Sequence, residues 1–425
     1  MIRVAFHTLG CRLNMAETAL AADDLTRHGY ICVEETEQAD IVVINSCAVT
    51  GTASQKSRQA VRAARRRHPG ALIVLMGCDA KIDETTWTKE EGPDLVIPHP
   101  APAPLSTLLA RHNDAARRLV PAGEAMDGFT IEGAARFSER TRANLKIQDG
   151  CDFCCTYCAI PAARGRARSR SAEDIFREAR ELCDAGYREL VLCGVNISLY
   201  FDSGLDLAGL LGELAERHPS LRIRIGSAEP GEVIPHVVEQ MNRHRNICRF
   251  LHLPLQYGND RILEKMGRLY STAEYAEQLL EAYRRIEGIC LGADVITGFP
   301  GETDEDFAEC REFLASLPFG LLHIFPFSPR PGTVAATMAG RPSGKVVSAR
   351  TDALLELARE KARSFAEGQL KKTVELLIED AEERSGWTDN YLHVRLQDGD
   401  CARNDLLSVR LVRFLGEREC EGVRS

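Results

Sequence analysis

The 425-residue sequence contains no apolar run near the roughly 18 residues that a membrane-spanning helix requires, so no membrane protein is expected. Its start, MIRVAFHTLG, has neither the basic n-region nor the cleavage site of a secretory leader, and a cytoplasmic location is expected. Repeats and low-complexity tracts are missing, which excludes solenoid and disordered classes. Positive charge is also not in excess. A formal net charge of −9 gives no global attraction to nucleic acid, so any RNA contact must come from local basic patches. Cysteine, by contrast, is abundant. In a cytosolic chain fifteen cysteines point to metal or redox chemistry before disulfides. The length predicts two to four domains.

The densest cysteine stretch is CDFCCTYC, residues 151–158, which follows an apolar strand-like run at 144–148. Cys151, Cys155 and Cys158 stand at C-x3-C-x2-C. Three thiolates in one tight loop can hold three corners of a cubane iron–sulfur cluster and leave the fourth iron without a protein ligand. An open coordination position is what distinguishes a catalytic metal centre from a closed structural one. A zinc knuckle is the alternative. It would need Cys154 as a fourth ligand, and adjacent cysteines bind one ion poorly.

A second constellation is spread over the first hundred residues. Strand-like runs at 3–7, 41–45 and 71–76 end just before Cys11, Cys47 and Cys78, with helix-like segments at 15–28 and 53–67. Short buried runs separated by helices predict a parallel sheet, whose carboxyl ends form the ligand crevice. One buried cysteine at a strand end is usually packing. Three at the same end predict a second cluster with three protein ligands. Cys32, inside the run 30–33, is expected in the core. Arg58, Arg62 and Arg66 place one basic face on the helix 53–67, open to reading as a solvated face or a phosphate contact. Pro98, Pro100, Pro102 and Pro104 begin a connector.

From 144 to 327 strands and helices alternate. Strands are expected at 144–148, 189–193, 221–226, 249–253, 290–296 and 321–325. Helices are expected near 172–185, 206–217, 231–241, 259–267 with 273–286, and 303–316. Six βα units predict a partial (β/α)6 barrel with its reactive residues at the carboxyl ends of the strands. Gly194, Asn196, Ser227, Glu229, Gln256 and the segment 293–302 fall at those ends. Arg164, Arg166, Arg168 and Arg170 alternate, which in an extended chain forms a row on one side; solvation and phosphate binding both suit it. Cys183, Cys248, Cys290 and Cys310 lack ligand spacing and are expected to be structural, and Cys193, near the site, is expected to be packing.

Residues 342–370 read as a charged helix. Apolar alternation at 373–379, 391–396 and 407–413 predicts a small antiparallel β-barrel. Residues 371–425 hold nine Lys and Arg against twelve Asp and Glu, which disfavours a simple RNA-gripping role for that unit.

The C-x3-C-x2-C loop resembles the signature of the radical S-adenosylmethionine (SAM) superfamily. TLGCRLNMAET, INSCAVTGTASQKSRQ, MGC, KIQDGCDFCCTYCAIPAARGRARSRS, GVNISLY, LHLPLQYGND, DVITGFPGETDEDF and FPFSPRPGT together resemble the methylthiotransferases of that superfamily over nearly the whole chain. The expected fold is therefore α/β: a parallel-sheet domain over 1–110, a linker over 111–140, the radical SAM barrel over 141–365 and a small TRAM-like β-barrel over 366–425. The resemblance implies two 4Fe-4S clusters, an auxiliary one on Cys11, Cys47 and Cys78 and a SAM-cleaving one on Cys151, Cys155 and Cys158. Contacts to SAM are expected from Tyr157, Gly194, Asn196, Glu229, Gln256 and Ile296, with Tyr157 and Ile296 against the adenine.

QDGC, CTYC and GVN resemble the branch that modifies threonylcarbamoyladenosine at position 37 of tRNA. Sibling branches act on isopentenyladenosine or on a ribosomal protein aspartate. The chain departs from the usual pattern at Cys154, at the cysteine of CGVN and in its acidic final unit. The resemblance further implies that one SAM methylates sulfur at the auxiliary cluster, while a second is cleaved to a radical that activates C2 of the adenine. Expected partners are the tRNA anticodon loop and a flavodoxin- or ferredoxin-like electron donor, with the chain a monomer.

Overall fold

The computed structural model describes residues 1–87, 92–112, 118–123, 128–136, 141–416 and 418–425. Its first unit is a six-stranded parallel sheet of β1 (Arg3–Thr8), β2 (Ile31–Val33), β3 (Ile41–Ser46), β4 (Leu72–Gly77), β5 (Leu95–Pro98) and β6 (Arg118–Leu119), ordered β2-β1-β3-β4-β5-β6. β3 lies between β1 and β4 and every residue of it is buried, which is why its first four residues are apolar with no alternation. Helices Arg12–Arg27 and Gly51–Arg67 cover it, the second capped by the Thr50 side chain, which accepts from the Ala53 N–H at 3.1 Å.

Cys32 overturns its expectation. It sits on the edge strand β2 and is exposed, because among the described residues no further strand covers that side; its thiol donates to the Ala22 carbonyl at 3.7 Å. Of the connector predicted at 111–140, residues 113–117, 124–127 and 137–140 lie outside the described residues. Within the rest, β6 pairs with β5, and Gly128–Phe129 pairs with Arg168–Arg170.

Six parallel strands follow: β7 (Arg142–Lys146), β8 (Glu189–Cys193), β9 (Arg222–Ile225), β10 (Phe250–His252), β11 (Cys290–Thr297) and β12 (Phe319–Pro326). Ladders join β7-β8-β9 and β10-β11-β12. Parallel bridges Ile223–Ile247 and Ser227–His252 connect the two halves into one arc. Among the described residues no ladder closes β12 onto β7, so the barrel is partial, as expected. Leu190, Leu192, Ile223, Ile225, Leu251, Leu291, Ala293 and Val295 join the apolar core with the surrounding helices. The alternating residues Glu189, Arg222, Arg224, His252 and Asp294 fall on the inner face. The first strand ends earlier than predicted. After Ile147 the chain turns into a short antiparallel pairing of Gln148–Asp149 with Arg168–Ser169, which throws the cysteine loop across the barrel mouth.

Helix Gly344–Gln369 runs along β12 to a closed five-stranded barrel made of β13 (Thr373–Asp380), β14 (Ser385–Thr388), β15 (His393–Leu396), β16 (Leu406–Gly416) and β17 (Glu419–Arg424). β14 (SGWT) and β17 (ECEGVR) are not legible in the sequence because neither carries an apolar run. This barrel docks on the inner face of the larger one. Arg222 donates to the Trp387 carbonyl at 3.2 Å, Arg224 to the Thr388 and Asp389 carbonyls at 3.0 Å, and Tyr391 stacks on Phe250 with ring centroids 4.5 Å apart.

Candidate active site

Gly150 starts the cysteine loop at φ +69°, where any side chain would strike the Arg166 carbonyl, so the chain can pass close to the strand 168–170 only as glycine. Cys151, Cys155 and Cys158 are all half-buried. Backbone N–H groups of Phe153 and Ile160 donate to the Cys151 and Cys158 sulfurs at 3.4 Å each, and Asn196 Nδ2 lies 3.8 Å from Cys151 Sγ. Burial pushes the Cys151 thiol up and the Cys158 thiol to about 12. Thiols in this state are poor free nucleophiles and need a cation to ionise. The loop is buttressed from below: the Thr156 N–H donates to the Met266 carbonyl at 2.9 Å, and Gly267, at φ +71°, lets a helix end approach Cys154.

Three soft donors within eight residues, each half-buried and two of them accepting backbone N–H, fit a 4Fe-4S cluster with one open iron. Cys154 is exposed, with its thiol 3.9 Å from the Asp152 carbonyl, and is not turned inward with the other three.

The residues expected around SAM fall in two connected groups. In the first, Glu229 pairs with Arg268, whose guanidinium also donates to Cys155 Sγ at 3.2 Å and to the Tyr157 hydroxyl at 3.4 Å. Burial holds the Glu229 carboxyl up despite Arg268 beside it, and pushes the Tyr157 hydroxyl well above its usual range. In the second, Gln256 adopts φ +71° and its backbone bridges Asp294 and Ile296, at 2.8 Å to each. Tyr270 ties the two together, accepting from Arg268 Nε at 3.1 Å and donating to the Leu255 carbonyl at 2.8 Å. Gly194 and Asn196 pack on Gln148, whose Oε1 accepts from the Asn196 N–H at 2.9 Å; a side chain at Gly194 would meet that oxygen. The Asn196 Oδ1 atom is buried without a hydrogen-bond partner among the described residues.

Arg268 was missed because a basic residue after a helix ordinarily serves its C-terminus. The barrel interior adds an unforeseen triplet. Asp294 accepts from His323 Nδ1 at 3.1 Å and lies 3.4 Å from His252 Nε2, while His252 Nδ1 meets Ser227 Oγ at 2.9 Å. Burial opposes the Asp294 charge, yet the two imidazoles hold its carboxyl well below the usual range.

On the parallel sheet, Cys11, Cys47 and Cys78 lie just beyond β1, β3 and β4, at one end of the sheet. Gly10, at φ +96°, leaves room for Cys47: a side chain there would come within 2.9 Å of Cys47 Sγ. Asn14 Nδ2 donates to the Leu9 and Ser46 carbonyls at 2.8 and 2.9 Å and binds the first two loops together. Cys11 is exposed and Cys47 and Cys78 are buried, which pushes the Cys47 thiol up and the Cys78 thiol to about 12. This donor set also suits iron and sulfide.

The arginine row is not a row. Arg164, Arg168 and Arg170 are buried and paired with Glu17, Asp149, Asp174 and Glu178, and only Arg166 is exposed. Arg164 ends a short helix, which breaks the extended alternation. On the basic helix, Arg65 pairs with Asp94 and Arg67 with Glu35, leaving Lys56, Arg62 and Arg66 on the exposed face.

An open parallel barrel with a three-cysteine loop after its first strand defines a radical SAM enzyme, which uses SAM and a 4Fe-4S cluster. Residues 145–314 match the radical SAM superfamily, and residues 3–98 match the uncharacterized protein family UPF0004. The radical SAM methyltransferase TsrM from Kitasatospora setae superposes with a TM-score of 0.59 at 15% identity, over 79% of this chain and 77% of that one, a likeness of fold alone. The threonylcarbamoyladenosine tRNA methylthiotransferase MtaB of Bacillus subtilis is 34% identical over 97% of this chain and 94% of its own. The enzyme of the same name from Aquifex aeolicus is 35% identical over 93% and 96%. The tRNA-2-methylthio-N(6)-dimethylallyladenosine synthase of Moorella thermoacetica is 31% identical over 96% and 95%. The chain belongs to the radical SAM methylthiotransferase family.

Proposed function

We propose that this enzyme transfers a methylthio group to C2 of N6-threonylcarbamoyladenosine at position 37 of tRNA. The observation that supports the reading is two sets of three cysteines, one just beyond three parallel strands of the first sheet and the other in the loop that follows the first barrel strand. When bound, the cluster on Cys151, Cys155 and Cys158 and its SAM supply a 5′-deoxyadenosyl radical. A C–H carbon with no acidic hydrogen gives acid–base or nucleophilic chemistry no purchase, so a radical route is required. Cys11, Cys47 and Cys78 would hold a second 4Fe-4S cluster. In this reading Arg268 and Glu229 would pair with the charged ends of SAM, and Tyr157, Asn196, Gly194, Gln256 and Ile296 would line its remainder.

The target adenine must leave the anticodon-loop stack to reach the barrel, as loop bases readily do. His252, Asp294 and His323 make the interior polar. That suits the carboxylate and hydroxyl of a threonylcarbamoyl group better than the apolar substituent of isopentenyladenosine, because unpaired buried polar groups reject an apolar ligand. Modification of isopentenyladenosine, or of a ribosomal protein aspartate, is the alternative. In the same reading the units divide at 1–110, 111–140, 141–365 and 366–425. The enzyme acts as a cytoplasmic monomer and receives electrons from a flavodoxin- or ferredoxin-like donor.

Mass spectrometry of tRNA nucleosides from a deletion strain tests the substrate. Loss of the methylthio group from threonylcarbamoyladenosine alone is expected, and loss from the isopentenyl nucleoside instead would overturn the choice. Anaerobic incubation with SAM and dithionite tests the chemistry, with 5′-deoxyadenosine as the expected product.

A further inference from the structure

Arg164 belongs by sequence to the SAM-cluster segment, six residues after Cys158, yet its side chain lies in the other cysteine site. It is 1% exposed. Its Nε–H donates to Cys78 Sγ at 3.0 Å. Nη1 donates to Glu17 Oε1 at 2.7 Å and Asp149 Oδ1 at 3.0 Å, and Nη2 to Glu17 Oε2 at 2.9 Å and Asn14 Oδ1 at 3.1 Å. All five N–H groups of the guanidinium are thus used. Ala163 packs with Ala48 and Cys78, so the helix Ile160–Arg164 rests on the auxiliary site itself. Lys146 bonds Glu17 at 2.8 Å and Asp149 at 2.7 Å and fixes both carboxylates.

From this geometry we infer that Arg164 sets the reduction potential of the auxiliary cluster, with Glu17 as its counterweight. The inference rests on the reading that Cys78 ligates that cluster. One-electron reduction adds a negative charge shared by the cluster and its thiolates. A hydrogen bond and a buried positive charge at a ligand sulfur stabilise that reduced state and raise the potential. Glu17 accepts two of the guanidinium's hydrogen bonds and opposes the effect. Arg164 acts through Cys78 and is a positioning residue. Because Asp149 immediately precedes Gly150 and Cys151, the same side chain links the two cysteine sites by hydrogen bonds.

A structural clasp and a tuning residue differ in sign. Redox titration of the anaerobically reconstituted enzyme, followed by electron paramagnetic resonance, separates them, with the SAM-binding cluster recognised by the change in its signal when SAM is added. Arg164→Gln is expected to lower the reduced fraction of the auxiliary cluster about tenfold at fixed potential, about 59 mV for one electron, while the SAM cluster stays in place. Glu17→Gln is expected to move the auxiliary cluster the opposite way, and this variant keeps the test alive should Arg164→Gln not fold. An unmoved auxiliary potential in the variants that retain both clusters, or equal shifts in both clusters, would overturn the inference. Cys78→Ala tests the underlying reading separately: it should lose the auxiliary signal, and keeping both clusters would remove Cys78 as a ligand.

Discussion

Cys47 and Arg268 show how differently single residues announce themselves. Cys47 stands just beyond a buried strand that begins with four apolar residues, and its strand-end position marks it together with Cys11 and Cys78. Replacing Cys47 with alanine should lower bound iron by one cluster's worth and leave SAM cleavage largely intact, as iron analysis and 5′-deoxyadenosine yield will show. Arg268 bore no such mark. It follows the glycine that ends a helix, and only folding brings it against Cys155, Glu229 and Tyr157, residues up to 113 positions away. Arg268→Gln should raise the KM for SAM about tenfold or more, since about 1.4 kcal/mol of lost charged hydrogen bonding corresponds to that factor. His323 was equally silent, because a histidine on a β-strand is ordinarily a surface residue. With its side chain 46% exposed and tied to Asp294, it should affect substrate more than cofactor. His323→Phe should raise the KM for tRNA while uncoupled SAM cleavage persists.

At the scale of elements, the six barrel strands were legible because each is an apolar run between helical segments, and the observed strands begin within two residues of the expected ones. The edges were not. β6 is two residues long within the stretch read as a connector, and the exposure of Cys32 on β2 is not legible because a strand's position at a sheet edge is a property of the assembled sheet. The inner faces were also hidden, since Glu189, Arg222 and Arg224 look like ordinary surface charges in sequence. In the fold Glu189 is fully buried between the two arginines. Burial opposes its charge, but Arg222 and Arg224 outweigh it and hold the carboxyl well below the usual range. Its contribution to stability is therefore complete above the unfolded value of about 4.3 and is lost as pH falls below it. Denaturant unfolding of the wild type should weaken between pH 5 and pH 3 more steeply than that of Glu189→Gln. That variant should itself lose about 3–5 kcal/mol at neutral pH, because it strands two buried guanidiniums.

Across the whole molecule, the three units are fastened at the barrel rather than strung along the chain. Arg164 clasps the parallel sheet from one side. Arg330, which donates to Ser54 Oγ at 2.8 Å and lies 3.6 Å from Asp79, clasps it from the other. The C-terminal barrel places Tyr391 among Phe250, Trp387 and Arg224, and its hydroxyl accepts from Arg12, the neighbour of Cys11, at 2.7 Å. The acidic composition that argued against RNA binding by this unit is consistent with such a role, because its carboxylates Glu379 and Asp389 pair with Arg142 and Arg249 of the larger barrel.

The proposed chemistry depends on what the six thiols of Cys11, Cys47, Cys78, Cys151, Cys155 and Cys158 hold. Iron and sulfide analysis with Mössbauer spectroscopy of anaerobically reconstituted protein tests this most directly. The wild type should contain two 4Fe-4S clusters. Replacing Cys11, Cys47 and Cys78 together, or Cys151, Cys155 and Cys158 together, should leave one in each case. Zinc alone in the wild type, or a triple variant that still holds both clusters, would contradict it.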